Sequence, residues 1–472
     1  MESQLCYLGD QHAILSAVRD LIDKAQQSIV LQMYLFARNG DQTLLLPRDG
    51  AFPYAETVAG WLIARKQHSP SLVIVVLLDS NTPDNPQLTR RRGTLIRKQL
   101  KEAGILVLNA NLFGAEFDHR PRFLSAMNFH LHHATVPVAD WVERQNRWQS
   151  LHNLEDHRKN LVIDGGRAGV ITSHNFFDPA FDWHENMFWL VGPVATDLWQ
   201  VAMRALSSSL EIPQDLRAEE RQSLSSLLSS TTSDSGHRSQ TALVPSLSSV
   251  AGYPLPIDGA ACGGLVELAL DPTCELIENR AIRARIAALL HDSSAGDEVL
   301  IASAYFSDLE LLSVVESALL RGCTVRVLID SLHALPLPPL PSWLTCNLVN
   351  HSVVCAARRL QNLFPARFEL RIHDSKHGAM MHLKTVVRLG PQSLLIGGQA
   401  NFTPNSFSGA YLETDLETRS SSVIAAFTAH FERLWALPQS MPLSHPSGVL
   451  ALLRMWVCSL LLWLFARVGL KP

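Results

Sequence analysis

Apolar positions fall along the chain in two rhythms. Over 13–27, "AILSAVRDLIDKAQQ", they recur at the spacing of one helix face, whereas "SIVLQMYLFA" (28–37) and "SLVIVVLLDS" (71–80) are continuous apolar runs, the pattern of strands covered on both sides. Between those runs "YAETVAGWLIARK" (54–66) returns to helical spacing. The same order recurs further on. "AIRARIAALLHDS" (281–293) predicts a helix, "EVLIASAYFS" (298–307) a buried strand, "DLELLSVVESALLRG" (308–322) a helix and "CTVRVLIDS" (323–331) a second buried strand. Tyr34 thereby matches Tyr305, and Asp79 matches Asp330. Buried strands alternating with helices require a sheet covered by helices, so each half is expected to be an α/β sandwich. The two tyrosines, set in apolar runs, are expected in the core.

A serine-rich polar stretch separates the halves. It includes "RQSLSSLLSSTTSDSGHRSQ" (221–240), which would bury little and reads as a flexible linker. The expected organisation is a first α/β domain over 1–206, the linker over 207–250, a second α/β domain over 251–440 and an apolar tail over 441–472.

Polar residues repeat with the same order. After a further strand in each half ("GILVLNA" and "RFELRIH") come "HRKNLVID" (157–164) and "HLKTVVRL" (382–389). Lysine is scarce, with eight in the 472 residues against 19 histidines, so a random chain would hold roughly 0.3 H-x-K triplets. Two stand at matching places. Each is followed by an apolar run and an asparagine, Asn175 in "RAGVITSHNFFD" and Asn401 in "QSLLIGGQANFT". Then come Glu185 in "WHENMFWLVG" and Glu413 in "YLETDLET", 28 and 31 residues after their histidines. The first half is longer between its second strand and its histidine by about 25 residues, an insertion expected to include "FHLHHATVPVADWVERQNRW" (129–148).

Charge and cysteine usage narrow the classes. A net charge of −4 gives no global field for holding a polyanion, so nucleic acid is not the expected partner. Seven cysteines without a C-x-x-C pattern point to a reducing compartment, and the N-terminus lacks the basic start and apolar core of a signal peptide. His130, His132 and His133, with His119 nearby, lack zinc-type spacing, so neither a metal nor another cofactor is expected.

The repeated set suits phosphate chemistry. On a strand, H-x-K places both side chains on one face, so the lysine can bind an anion where the imidazole acts. A small loop ending in asparagine brings further donors close, and a glutamate can fix the tautomer of the histidine through its far ring nitrogen. Two such sets could cleave a phosphodiester without a metal. One imidazole would attack phosphorus while the other protonates the leaving alcohol.

These motifs resemble those of the phospholipase D superfamily, a paired H-x-K-x4-D followed by G-S-x-N and a later acidic residue. His157, Lys159, Asp164, Ser173 and Asn175 fit the first copy; His382, Lys384, Gly398 and Asn401 fit the second, in which Leu389 stands where the family has aspartate. Within the superfamily the chain is most similar to bacterial cardiolipin synthases and related phosphatidyltransferases. The resemblance implies two phospholipase D-like α/β sandwich domains in a pseudo-twofold pair with one shared active site. It also implies a phosphatidyl group passing to His157 or His382 and then to an alcohol or water. Glu185 and Glu413 would be the carboxylates facing the histidines, with Asp164, Ser173 and Gly398 as motif support. Phospholipid is then the expected substrate and a membrane surface the expected partner; the oligomeric state is left open. A nuclease of the same superfamily is the alternative enzyme, and a catalytically degenerate membrane scaffold, suggested by Leu389, the non-catalytic one. In the tail, Met455 to Ala466 is an apolar run of 12 residues, about 18 Å of helix against a bilayer core of about 30 Å. With Arg454 and Arg467 flanking it, it reads as an interfacial helix. The expected location is the cytoplasmic face of a membrane, peripheral or anchored by that helix.

Overall fold

The first helix begins where Asp10 accepts the amides of His12 at 3.0 Å and Ala13 at 2.9 Å, and it turns Ile14, Leu15, Val18, Leu21 and Ile22 inward. The computed structural model describes residues 2–38, 52–79, 94–110, 155–211, 214–233, 268–332, 350–375, 379–409 and 411–443. In the first half the chain runs β1 (Gln4–Leu8), α1 (Gln11–Lys24), β2 (Ser28–Met33), β3 (Phe36–Ala37), α2 (Tyr54–His68), β4 (Val73–Leu78), α3 (Thr94–Glu102) and β5 (Leu106–Asn109). It continues through β6 (Glu155–Asp156), β7 (Lys159–Ile163), β8 (Ala168–Thr172), β9 (Phe176–Phe177), β10 (Met187–Val191), α4 (Pro193–Ser209), α5 (Ala218–Ser233) and β11 (Ala269–Leu270).

The second half repeats the plan. Its elements are β12 (Glu275–Glu278), α6 (Arg280–His291), β13 (Glu298–Ser303), α7 (Leu309–Leu320), β14 (Thr324–Asp330), α8 (His351–Leu363) and β15 (Phe368–His373). They continue as β16 (Lys384–Leu389), β17 (Leu394–Gly398), α9 (Pro404–Ser408), β18 (Tyr411–Leu412), β19 (Thr414–Thr418), α10 (Ser421–Trp435) and β20 (Ser440–Pro442).

The described residues gather into two compact units, one drawn from 1–115, 155–276 and 418–426, the other from 277–417 and 427–472. One eight-stranded sheet has the order β11-β1-β10-β8-β7-β2-β4-β5, and the other has β12-β19-β17-β16-β13-β14-β15-β20. Apart from β11 and β20, the two orders correspond strand for strand. In each, three parallel strands (β2, β4, β5; β13, β14, β15) are followed by the antiparallel hairpin that carries the H-x-K motif. The register also agrees, since Lys159 lies opposite Met33 and Lys384 opposite Ser303. The expected α/β class and repeat are therefore found. Strands β2 and β4 are buried along almost their whole length, which is why their sequences are apolar without alternation.

Three expectations need revision. Within the stretch read as flexible linker, 218–233 is helical, because Leu224, Leu227 and Leu228 recur at helix spacing and the first two are buried; 234–250 lies outside the described residues. The second sheet runs past residue 440, with Met441 paired to Ile372 and Leu443 buried. The third concerns location. Among the described residues no helix is long and apolar enough to cross a membrane, so anchoring by a C-terminal apolar helix is not supported, and 444–472 lies outside the described residues. The inserted stretch, with His119, His130, His132 and His133, also lies outside them.

Candidate active site

Neither motif histidine stands on a regular strand. His157 occupies the break between β6 and β7, and His382 follows the bridge residue Met381, so that in each half the lysine opens the strand and the histidine precedes it by two residues. The lysines fold back identically. Lys159 Nζ donates to the carbonyl of His157 at 2.6 Å, and Lys384 Nζ to that of His382 at 2.7 Å. Both lysines are fully enclosed, whereas their histidines keep 7% and 4% exposure. A buried ammonium hydrogen-bonded to the main chain of the histidine fixes that main chain and places positive charge beside the ring.

Tyr34 and Tyr305 are not core residues. They follow β2 and β13, are half-buried, and lie against the histidines, with ring centroids 4.5 Å apart for Tyr34 and His157 and 6.5 Å for Tyr305 and His382. Lys159 Nζ is also 5.3 Å from the centre of the Tyr34 ring, a cation–π distance. The continuous apolar runs hid where each strand ends, one or two residues before its tyrosine.

The asparagines sit at the ends of β8 and β17. The Oδ1 atoms of Asn175 and Asn401 are buried with no hydrogen-bond partner among the described residues, a state that costs about 1–3 kcal/mol unless a ligand supplies a partner. Each loop is tethered to the tyrosine loop of its own half. Phe176 pairs with Phe36, rings 5.5 Å apart, and Phe402 with Phe306, rings 5.7 Å apart. Gly398 lets β17 close on β19, for a Cβ there would lie 2.7 Å from the Asp415 carboxylate and from the Thr414 carbonyl.

Both glutamates are buried and take a serine hydroxyl. Ser173 donates to Glu185 and accepts the amide of Asn186 at 2.9 Å. In the second half the two jobs are divided. Ser406 donates to Glu413 at 3.1 Å, while Gln399, which stands at the position of Ser173, accepts the amide of Thr414 at 3.1 Å. Sequence reasoning missed Ser406 and Gln399; aligning "TSHN" with "GQAN" points to the second, but Ser406 is placed by the fold alone. The buried Tyr54 hydroxyl is pushed well above its ordinary pKa by burial first and then by the charge of Glu185.

Asp164 and Leu389 mark the main departure between the halves. Asp164, at φ 49°, gathers the amides of Gln26 (2.9 Å), Gln27 (2.6 Å) and Ser28 (3.0 Å) and pairs with Arg167 at 3.1 Å. It pins the turn that enters β2. In the second half the matching turn closes on itself, with Asp297 accepting the amide of Ser294 at 2.9 Å, and a Cβ on Gly390 would lie 2.0 Å from the Asp297 carboxylate. Leu389 therefore stands where the fold has another way to hold the turn.

Two eight-stranded α/β sheets, each with a histidine, a lysine, an asparagine and a glutamate at corresponding places beside its strands, define a duplicated α/β fold. Residues 289–435 match the family described as cardiolipin synthase, PLD-like domain. Among solved structures, phosphatidylserine synthase of Haemophilus influenzae Rd KW20 is similar over 98% of this chain and 93% of that chain, with a TM-score of 0.59 and 12% identity. Shorter likenesses are to Nuc, a phospholipase D family member from Salmonella typhimurium (36% of this chain, 97% of that one, TM-score 0.25, 14% identity), and to NucT from Helicobacter pylori (36%, 99%, 0.26, 12%). A comparison with curated proteins finds no match. Within the second half, residues 289–435 thus match a phospholipase D-like domain of the cardiolipin synthase type, and the chain as a whole shares the fold of that phosphatidylserine synthase.

Proposed function

We propose that the chain is a phospholipase D-type phosphatidyltransferase or phospholipase acting on glycerophospholipid phosphodiesters. The observation that carries this reading is the duplication of the His-Lys-Asn-Glu set in one register, supported by the match to a cardiolipin synthase-type domain and by the fold shared with a phosphatidylserine synthase. The reaction needs two imidazoles acting on one phosphorus. His157, whose motif is complete, attacks phosphorus through a ring nitrogen. The bond to the leaving alcohol breaks, and His382 gives that oxygen a proton. In the second step His382 takes the proton back from an acceptor alcohol or water, whose oxygen attacks the phosphohistidine and frees His157. Lys159, Lys384, Asn175 and Asn401 hold the non-bridging oxygens, while Glu185 and Glu413 orient the rings.

The test uses phosphatidylglycerol with and without added glycerol, labelled single-stranded DNA, and the variants His157→Ala and His382→Ala. Lipid product that depends on both histidines, and shifts with glycerol, supports the reading. Cleavage of DNA alone makes the chain a nuclease, and turnover unaffected by either substitution contradicts the mechanism.

A further inference from the structure

Two buried carboxylates take no part in the reaction above, yet they occupy one place in both halves. Asp79 directly follows β4, and Asp330 is the last residue of β14, the matching strand. Asp79 Oδ1 accepts the amide of Asp156 at 3.1 Å, and Asp330 Oδ2 accepts the amide of Met381 at 2.8 Å. Asp156 and Met381 are the residues immediately before His157 and His382. The same bond, from the carboxylate at the end of matching strands ("LLDS" and "LIDS") to the residue leading into the histidine, is thus built in both halves.

Both carboxylates are buried where they accept these bonds. Asp330 is 1% exposed; its other oxygen takes the Ser375 hydroxyl at 2.7 Å and the amide of Leu332. Leu332 itself stands at φ 61°, a conformation a bulky residue adopts only when its surroundings impose it. Asp79 is 8% exposed and faces the half-buried Arg97, whose guanidinium also donates to the Asp79 carbonyl at 3.2 Å. Surface carboxylates elsewhere could cap a strand without being buried.

We propose that Asp79 and Asp330 are positioning residues, each fixing the main chain from which the reacting histidine of its own half projects; this rests on the reading of those histidines as the reacting groups. An imidazole displaced by about 1 Å from its line of attack loses about 100-fold in rate, whereas affinity for substrate depends on the other groups. The carboxylates therefore act on kcat rather than on KM.

The test compares Asp79→Ala and Asp330→Ala in the full chain, with Asp79→Asn and Asp330→Asn as milder variants that keep one acceptor oxygen. Histidine side-chain resonances are read from histidine-labelled protein, and turnover from phosphatidylglycerol and from the chromogenic diester bis(p-nitrophenyl) phosphate. Asp330→Ala is expected to move the resonances of His382 and leave those of His157 in place; Asp79→Ala does the reverse. In both, kcat falls tenfold or more, roughly, with KM within about twofold, and the asparagine variants fall between. An alanine variant that does not fold is replaced by its asparagine counterpart under the same readouts. Resonances of both histidines unchanged, or both moved equally by either substitution, would overturn the proposal. If the wild-type protein turns over no diester, the functional reading falls, and the resonances still decide whether the carboxylates position the histidines.

Discussion

Removing the Asp164 carboxylate tests the claim that this motif residue supports structure rather than chemistry. Asp164→Ala deletes the acceptor for the amides of Gln26, Gln27 and Ser28 and the pairing with Arg167. Gln26 and Gln27 are exposed, so water replaces their bonds and each costs about 0.5 kcal/mol; Ser28 is buried and its unpaired amide costs about 1 kcal/mol. Alanine at φ 49° adds about 1 kcal/mol, because its Cβ meets the following carbonyl in the left-handed region. The sum is about 3 kcal/mol. Asparagine tolerates that φ and keeps one acceptor, so Asp164→Asn costs about 1 kcal/mol. Chemical denaturation followed by hydrogen exchange on β2 and β7 reads the first unit separately. The folded fraction of either variant keeps its kcat. An Asp164→Ala protein within about 0.5 kcal/mol of wild type, or one stable but inactive, would refute the assignment.

Other outcomes follow from the same geometry. Leu389→Asp gains no stability, as thermal unfolding will show, because Asp297 already holds the matching turn and its carboxylate crowds Gly390. Burial pushes the Asp330 carboxyl from 3.8 up to about 7, so the folded state binds its proton more tightly than the unfolded one. Its contribution to stability is then fully present below about pH 4 and is lost as pH rises to about 7, by up to about 4 kcal/mol; subtracting the Asp330→Asn profile from that of wild type isolates the slope. Lys159→Met and Lys384→Met each lower kcat by about 100-fold or more while leaving the melting temperature unchanged or higher, because an apolar chain of similar length replaces a buried charge. Ser173→Ala costs about 2–3 kcal/mol and Ser406→Ala about 1 kcal/mol, measured by denaturant unfolding, since Ser173 serves both Glu185 and the Asn186 amide whereas Ser406 serves Glu413.

Much of this was legible in the sequence because duplication amplified weak signals. The buried strands around Val30 and Val75 have no exposed polar face and so declare themselves as apolar runs, and the order of helices and strands repeats in the second half. His157, Lys159, His382 and Lys384 were found by comparing the halves, not by any property of a single triplet. What the sequence hid depends on where strands stop and on contacts between distant residues. Tyr34 and Tyr305 continue an apolar run but lie past its hydrogen-bonded end. The bonds of Asp79 and Asp330 span 77 and 51 residues, and the exchange of Ser173 for Ser406 plus Gln399 moves one hydroxyl to another element. Helix α5 escaped notice because three leucines supply its apolar stripe in a background of serine.

The central claim is that the duplicated histidines perform covalent phosphoryl chemistry, and rapid acid-free quenching with radiolabelled phosphatidylglycerol tests it most directly. The account predicts label retained on the protein at His157, stable to base and released by acid, absent from His157→Ala. The His382→Ala protein is expected to give a slower trapping rate with the same attachment site. Lipid turnover in the wild-type protein with no labelled histidine at any time would contradict the account.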